Sequence, residues 1–441
     1  MTFRAAGRTL SLAFALAAAS AFGQTVALVG GTVHTVGAPD VPGGTVLLRD
    51  GKIAAVGAAV EVPAGAKVVD VKGRHVYPSL FPPITELGLV EISSVRSTVD
   101  TTELGEINPQ ARADFAMNFD SELLPVARSA GILIAGVAPV GGIVSGSLAA
   151  MKMEGWTRED ATLKAPAAIM VRWPDLTIDR SPTARLSVRL QEKRRDDALQ
   201  KLKDVFAEAR AYAKARAAED NTGIPRHDRD PRLEALLPAV EGKIPVIIVA
   251  QRVKQIRDAL AWGAEEKLNL VLAGAKDGWR VAGEIAAAKV PVIVEQPIEL
   301  PARQDEPYDA NFASAGMLAK AGVRVAFTDG SNASNARNLA HQAAAAVAFG
   351  FPREKAVEAM TLEPAKILGV AGRVGSLEPG KDATLIITDG DILDLRTQVV
   401  AAYLEGRPMD LTDKQKRLYD RYRNRPRPVG RETGNGKRET R

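Results

Sequence analysis

Few side chains in this sequence can do chemistry, and their types narrow that chemistry at once. The 441 residues include no cysteine, which excludes disulfides, thiolate metal sites and a cysteine nucleophile. There are four histidines, His34, His75, His227 and His341. A metal that activates water through imidazole ligands needs about three protein donors converging from separate elements, and these four stand in unlike settings. His34 and His75 accompany short β-prone runs near the N-terminus, His227 sits in a charged stretch at 225–230, and His341 lies in an alanine-rich helical run at 339–348. Each reads as a surface or packing residue. Serine chemistry fares no better. Gly142-Ile143-Val144-Ser145-Gly146-Ser147 offers hydroxyls among glycines, but no strand–nucleophile–helix elbow and no histidine base accompany them. That run is expected to form a glycine-rich loop lining a cleft.

The elements that position these residues belong to a large fold. With 46% hydrophobic and 25% charged residues the chain is too apolar to be disordered, and its length suits one large barrel with an appendage, or two to three ordinary domains. Residues 1–23 carry Arg4 and Arg8, an apolar run at 10–19, and Ala21-Phe22-Gly23 before Gln24. That pattern predicts a secretory signal, a mature chain starting near Gln24, and a secreted or periplasmic location. No later run is long and apolar enough to predict a transmembrane helix. Residues 411–441 hold eleven Lys/Arg against four Asp/Glu, although the whole chain is only +5. This basic tail is expected to be flexible and solvated, with no nucleic-acid partner.

Short strand-like runs at 25–29, 44–48, 53–56 and 67–71 alternate with turn residues. Asp50-Gly51 between two of them predicts a tight hairpin. The middle of the chain changes character. Apolar runs at 131–137, 245–249, 268–272, 291–294 and 323–327 alternate with helical segments at 252–261, 278–287 and 311–320, the signature of a parallel sheet covered by helices. Residues 185–219 space Leu186, Leu190, Leu199, Leu202, Val205 and Phe206 as an amphipathic outer helix or helix pair. Strand signals return at 380–387 and 399–404.

The two ends resemble the amidohydrolase superfamily, close to its imidazolonepropionase-like and periplasmic members. Residues 29–34 (Val-Gly-Gly-Thr-Val-His), the Leu48-Arg49-Asp50-Gly51-Lys52-Ile53 hairpin and the approach from Val69-Asp70 to Pro78 resemble its N-terminal half. Residues 363–369 (Glu-Pro-Ala-Lys-Ile-Leu-Gly), 375–383 (Gly-Ser-Leu-Glu-Pro-Gly-Lys-Asp-Ala) and Glu405-Gly406-Arg407 resemble its C-terminal signature. The resemblance implies an α/β fold, a distorted (β/α)8 TIM-like barrel at 79–370 inserted into a small composite β-sandwich made by both ends, 24–78 and 371–410. It also implies metal-assisted hydrolysis, with a His-x-His pair after the first barrel strand, histidines after the fifth and sixth, and an Asp after the eighth.

Set against that pattern, the ligands are missing. Ile84 and Glu86 take the paired-histidine places, the fifth-strand position falls near Val249 with Gln251 two residues on, and the sixth falls near Gly274. The eighth-strand motif remains as Phe327-Thr328-Asp329-Gly330-Ser331. Asp329 has a structural reading too, as a turn or helix cap, and Lys152 is a weak match to the carbamylated lysine of some members. Two functions stay open. One is a non-catalytic homologue with no metal cofactor, acting as scaffold, small-ligand binder, or homo- or hetero-oligomeric partner of an active paralogue. The other is a hydrolase of carbon–nitrogen bonds in amides, cyclic amides or dipeptides, with one divalent metal on Glu86, Asp329 and His341 and with Asp329 as the catalytic group.

Overall fold

A computed structural model describes residues 25–219, 228–301, 303–330 and 332–425. The signal-like segment 1–23 and His227 lie outside the described residues.

The N-terminal β-prone runs form five strands, β1 (Val26–Val33), β2 (Val41–Arg49), β3 (Lys52–Gly57), β4 (Lys67–Asp70) and β5 (His75–Pro78). The β2–β3 hairpin turns on Asp50 and Gly51, both at positive φ (52° and 77°), which is why Asp-Gly suits this place. The central segment carries β6 (Ile134–Val137), β7 (Val144–Lys152), β8 (Thr162–Arg172), β9 (Val246–Ala250), β10 (Leu270–Gly274), β11 (Val292–Glu295) and β12 (Val325–Thr328), and the C-terminal part adds β13 (Leu385–Thr388), β14 (Val399–Leu404) and β15 (Arg407–Pro408).

The two ends of the chain share one eight-stranded sheet in the order β15-β14-β13-β5-β1-β2-β3, with β4 also paired to β1. They join where β13 runs antiparallel to β5, Leu385 opposite Pro78 through Thr388 opposite His75. Val26, Leu28, Val46, Leu48, Val76, Leu385 and Ile387 give this sheet its own core. The central strands form a second sheet in sequence order, β12-β11-β10-β9-β8-β7-β6. From β8 to β12 every neighbour is parallel.

Residues 80–85 complete this curled sheet into an eight-position ring. On one side they bridge β6 in parallel, with Leu80 N–H donating to Gly131 O (3.0 Å) and Thr85 N–H to Gly136 O (2.8 Å). On the other side the Thr328 hydroxyl donates to the Ile84 carbonyl. Pro82 and Pro83 lack N–H groups, so this segment cannot build a continuous ladder and contributes only isolated bridges. Gly136 is required opposite them, because a side chain there would strike the Pro83 carbonyl.

One expectation needs correcting. β7 pairs antiparallel with both β6 and β8, so one position of the ring is reversed. Every residue of β7 is buried, and a strand buried on both faces reads alike in either direction. The same strand takes in Val144, Ser145, Gly146 and Ser147, expected above as a loop; both serines are buried, and Ser147 Oγ donates to Ala111 O (3.2 Å).

The long outer helix spans Val188–Ala218 and buries Leu202, Val205, Phe206, Ala209 and Tyr212. Phe206 meets Trp262 edge-on, with ring centres 5.0 Å apart, and Trp262 in turn contacts Trp173. The basic C-terminal segment also differs from expectation, since Lys414–Arg423 forms a helix. Among the described residues no helix is long and apolar enough to cross a membrane.

Candidate functional site at the mouth of the ring

Parallel strands of a barrel deliver their C-terminal residues to one face. Here the last residues of successive strands are Arg172 (β8), Gly274 (β10), Glu295 (β11) and Thr328 (β12), with Asp329 next in the chain. At this face opens a cleft of about 580 Å³ whose lining includes Arg172, Val249, Gln251, Lys276, Glu295, Gln296 and Gly330.

Three carboxyl groups lie in or beneath this mouth, and each is pushed toward its neutral form. Asp329 is buried, accepts from the Thr85 hydroxyl with the Thr328 hydroxyl oxygen beside it (3.4 Å each), and is raised well above the usual carboxylate range by desolvation, with Glu86 adding charge repulsion. Burial lifts Glu86 to about 7, and the Arg172 guanidinium opposes that rise. Glu295 is also raised by burial, against Lys276, a hydrogen bond from Gln251, and Arg172. Lys276 pairs with Glu299 at 2.7 Å. The mouth thus holds carboxyl groups that burial favours in the neutral, hydrogen-bond-donating form beside fixed cations, a pattern suited to binding a polar ligand by hydrogen bonds and charge.

The structural reading of Asp329 as a helix cap does not hold. The 3-10 helix that follows is capped by Asn332, whose side chain accepts from Ser334 N–H. Asp329 instead faces the start of the ring through Thr85.

The positions where ligands were sought are now placed. Ile84 is buried and contributes only its backbone carbonyl to Thr328. Val249 lines the cleft with an aliphatic side chain. Gly274 sits at φ 80°, and a Cβ there would run into the Gln251 carboxamide. The space above the sixth strand is therefore already filled by an amide that bonds Glu295 and meets the Lys276 N–H at 3.4 Å. This donor set does not fit the zinc centre the resemblance implies, since an alkyl group, a second alkyl group and a glycine replace imidazoles.

Other expected site residues lie elsewhere. His341 opens onto a different cleft, shared with Val126, Asp394 and Lys416, so the Glu86–Asp329–His341 set is not assembled at the mouth. Among the described residues no group of three or more histidine and acidic side chains stands close enough to hold a metal ion. Lys152 leaves β7 at the end away from the mouth, because that strand is reversed, and pairs with Glu405 of the terminal sheet at 3.0 Å. His34 and His75 bond each other (2.9 Å) within the terminal sheet, with Asp40 on the far nitrogen of His34 at 2.6 Å. Sequence reading missed Arg172, Lys276, Glu295 and Gln296. Charged or amide residues at the ends of apolar runs were the available signal, overlooked because the search followed histidine places.

This is a ring of strands with a polar mouth, inserted into a sheet made from both chain ends, and that architecture defines the class. Residues 285–414 match the sequence profile of the Amidohydrolase family. The chain is 24% identical to an amidohydrolase of Thermotoga maritima whose crystal structure superimposes with a TM-score of 0.77, over 87% of this chain and 99% of that one. Phenylurea hydrolase B shares the fold more distantly, with 18% identity and a TM-score of 0.53 over 88% of this chain and 97% of its own. The amidohydrolase tasK of Hapsidospora irregularis is 23% identical over 395 residues, 82% of this chain, which spans only 39% of that longer relative. Over residues 285–414 the chain is thus similar to the Amidohydrolase family, it shares the fold of the amidohydrolases above, and the metal-ligand motifs that the resemblance implies are degenerate in it.

Proposed function

We propose that this chain is an exported amidohydrolase-superfamily protein that has given up metal-assisted hydrolysis and uses the mouth of the ring to bind a small polar ligand, as a scaffold or beside an active paralogue. The observation that carries this reading is the Gln251 carboxamide seated over Gly274, where the fold's sixth-strand ligand would project. Gly274 gives the amide room, and the amide in turn holds Glu295. Arg172 and Lys276 bring cations borne by the protein to carboxyls that a metal would otherwise neutralise.

The test is metal content by mass spectrometry on protein purified without a histidine tag. The expected result is below about a tenth of an equivalent, unchanged after incubation with zinc and manganese. A second reading rests on the repulsion between Glu86 and Asp329, which a single hard ion held by both carboxylates would relieve. Near one equivalent of metal, lost in Asp329→Asn, would overturn the first reading and support a hydrolase of carbon–nitrogen bonds. For the paralogue, the tagged protein is purified from its own cells, and a chain that always emerges alone counts against a partner.

A further inference from the structure

The helix Lys414–Arg423 is arranged the wrong way round for one that packs on a core. Its inner ties are polar. The buried Asp413 caps it through the Lys416 N–H (2.9 Å), and Arg417 makes two hydrogen bonds to Glu122, of 2.8 and 2.9 Å. None of its ten residues is buried. Its large apolar side chains face water instead, with Leu418 38%, Tyr419 65% and Tyr422 55% exposed. Positions 418, 419 and 422 share one side of a helix. Arginines border that side, Arg423 over the Tyr419 ring at 5.4 Å and Arg421 over Tyr422 at 5.6 Å. Leu395, 67% exposed, lines a cleft with Gln415 and Lys416 at the start of the same helix. So short a helix is marginal in water unless an apolar face is covered.

Charge complementarity selects the cover. Arg425 follows the helix, and the sequence continues with Arg427, Arg431, Lys437, Arg438 and Arg441 against only Glu432 and Glu439. A short apolar wedge of Leu and Tyr bordered by arginines suits the level of lipid headgroups, where the rings sit among glycerol and acyl groups while the guanidinium groups reach phosphates. A nucleic-acid backbone would use the charge but leave Leu418 without a partner. We infer that this helix docks the protein on an anionic lipid surface. Each cation brought near such a surface strengthens binding roughly fivefold.

The chain from residue 24 onward contains every described residue and lacks the apolar run at 10–19, which would bind lipid for its own reasons. It is sedimented with vesicles of phosphatidylcholine alone and of three parts phosphatidylcholine to one part phosphatidylglycerol. Binding is expected only to the anionic vesicles. It should fall at least about tenfold in Leu418→Ser/Tyr419→Ser/Tyr422→Ser, in Arg421→Glu/Arg423→Glu/Arg425→Glu, and in high salt. Unchanged circular dichroism melts would show that both variants fold, since none of these side chains is buried. Absent or non-selective vesicle binding, undiminished binding by the variants, or binding to an oligonucleotide without binding to vesicles would each overturn the inference.

Discussion

Glu86→Gln is expected to stabilise the protein at about pH 8 and to change little at about pH 4. Burial raises the Glu86 carboxyl from 4.5 to about 7. An acid raised in the folded state holds its proton more tightly there than in the unfolded chain. Its contribution is therefore fully present below the unfolded value, about 4.5, and is lost as pH rises through the folded value, about 7. At about 1.4 kcal/mol per unit, that shift sets a ceiling of roughly 3 kcal/mol. Glu86 is only partly buried, so solvent screening reduces the share to ~1–2 kcal/mol. Glutamine keeps the shape and stays neutral. It also removes the repulsion that helps raise Asp329. The assay is urea unfolding of both proteins at several pH values between about 4 and 8.5, with the difference in unfolding free energy plotted against pH. The wild-type curve should drop away from the variant across the window from about 4.5 to about 7.5. Glu295 titrates in both proteins and cancels in the difference, which reports the loss of the Glu86 charge together with its repulsion of Asp329. Parallel curves would refute the reasoning and with it the picture of a neutral acid at the mouth.

Two further predictions concern the frame of the site. Gly274→Ala places a side chain at φ 80° and against Gln251, so it should destabilise by ~1–2 kcal/mol in chemical denaturation; adding Gln251→Ala should recover the part due to the clash, and full additivity would show that the two do not touch. Thr328→Val removes the hydroxyl that reaches the buried Ile84 carbonyl and should cost ~1–3 kcal/mol in thermal unfolding, whereas an unchanged Tm would mean that residues 80–85 are held in the ring by their bonds to β6 alone.

Much of the fold was legible because local pattern and tertiary role agree. The apolar runs before residues 250, 274, 295 and 328 became adjacent parallel strands, and the helices between them fell close to their predicted places. Asp50-Gly51 made its hairpin for a backbone reason that any context would preserve. The direction of β7 was not legible, because alternation is lost in a strand buried on both faces. The first ring position was half legible, since Pro82-Pro83 forbids a ladder but says nothing about what holds the segment in place. At the site, counting histidines was enough to doubt a zinc centre, yet Arg172 and Lys276 gave no sign in the sequence that they face Glu86 and Glu295.

By itself, then, the sequence determined which donors are scarce. A chain without cysteine and with four histidines has few soft donors to offer a metal, and none of the four stands at a place where the family's pattern puts one. It determined the alternation of strands and helices as well, since apolar periodicity is a local property. Only the tertiary structure decided what replaced the missing groups. That Gln251 fills the space over Gly274, that Lys152 points away from the mouth toward Glu405, and that the Asp329 side chain faces Thr85 rather than capping the next helix all depend on contacts across 23 to more than 250 residues of chain. Such contacts are fixed by the closure of the ring and by the direction of each strand, which no local pattern encodes.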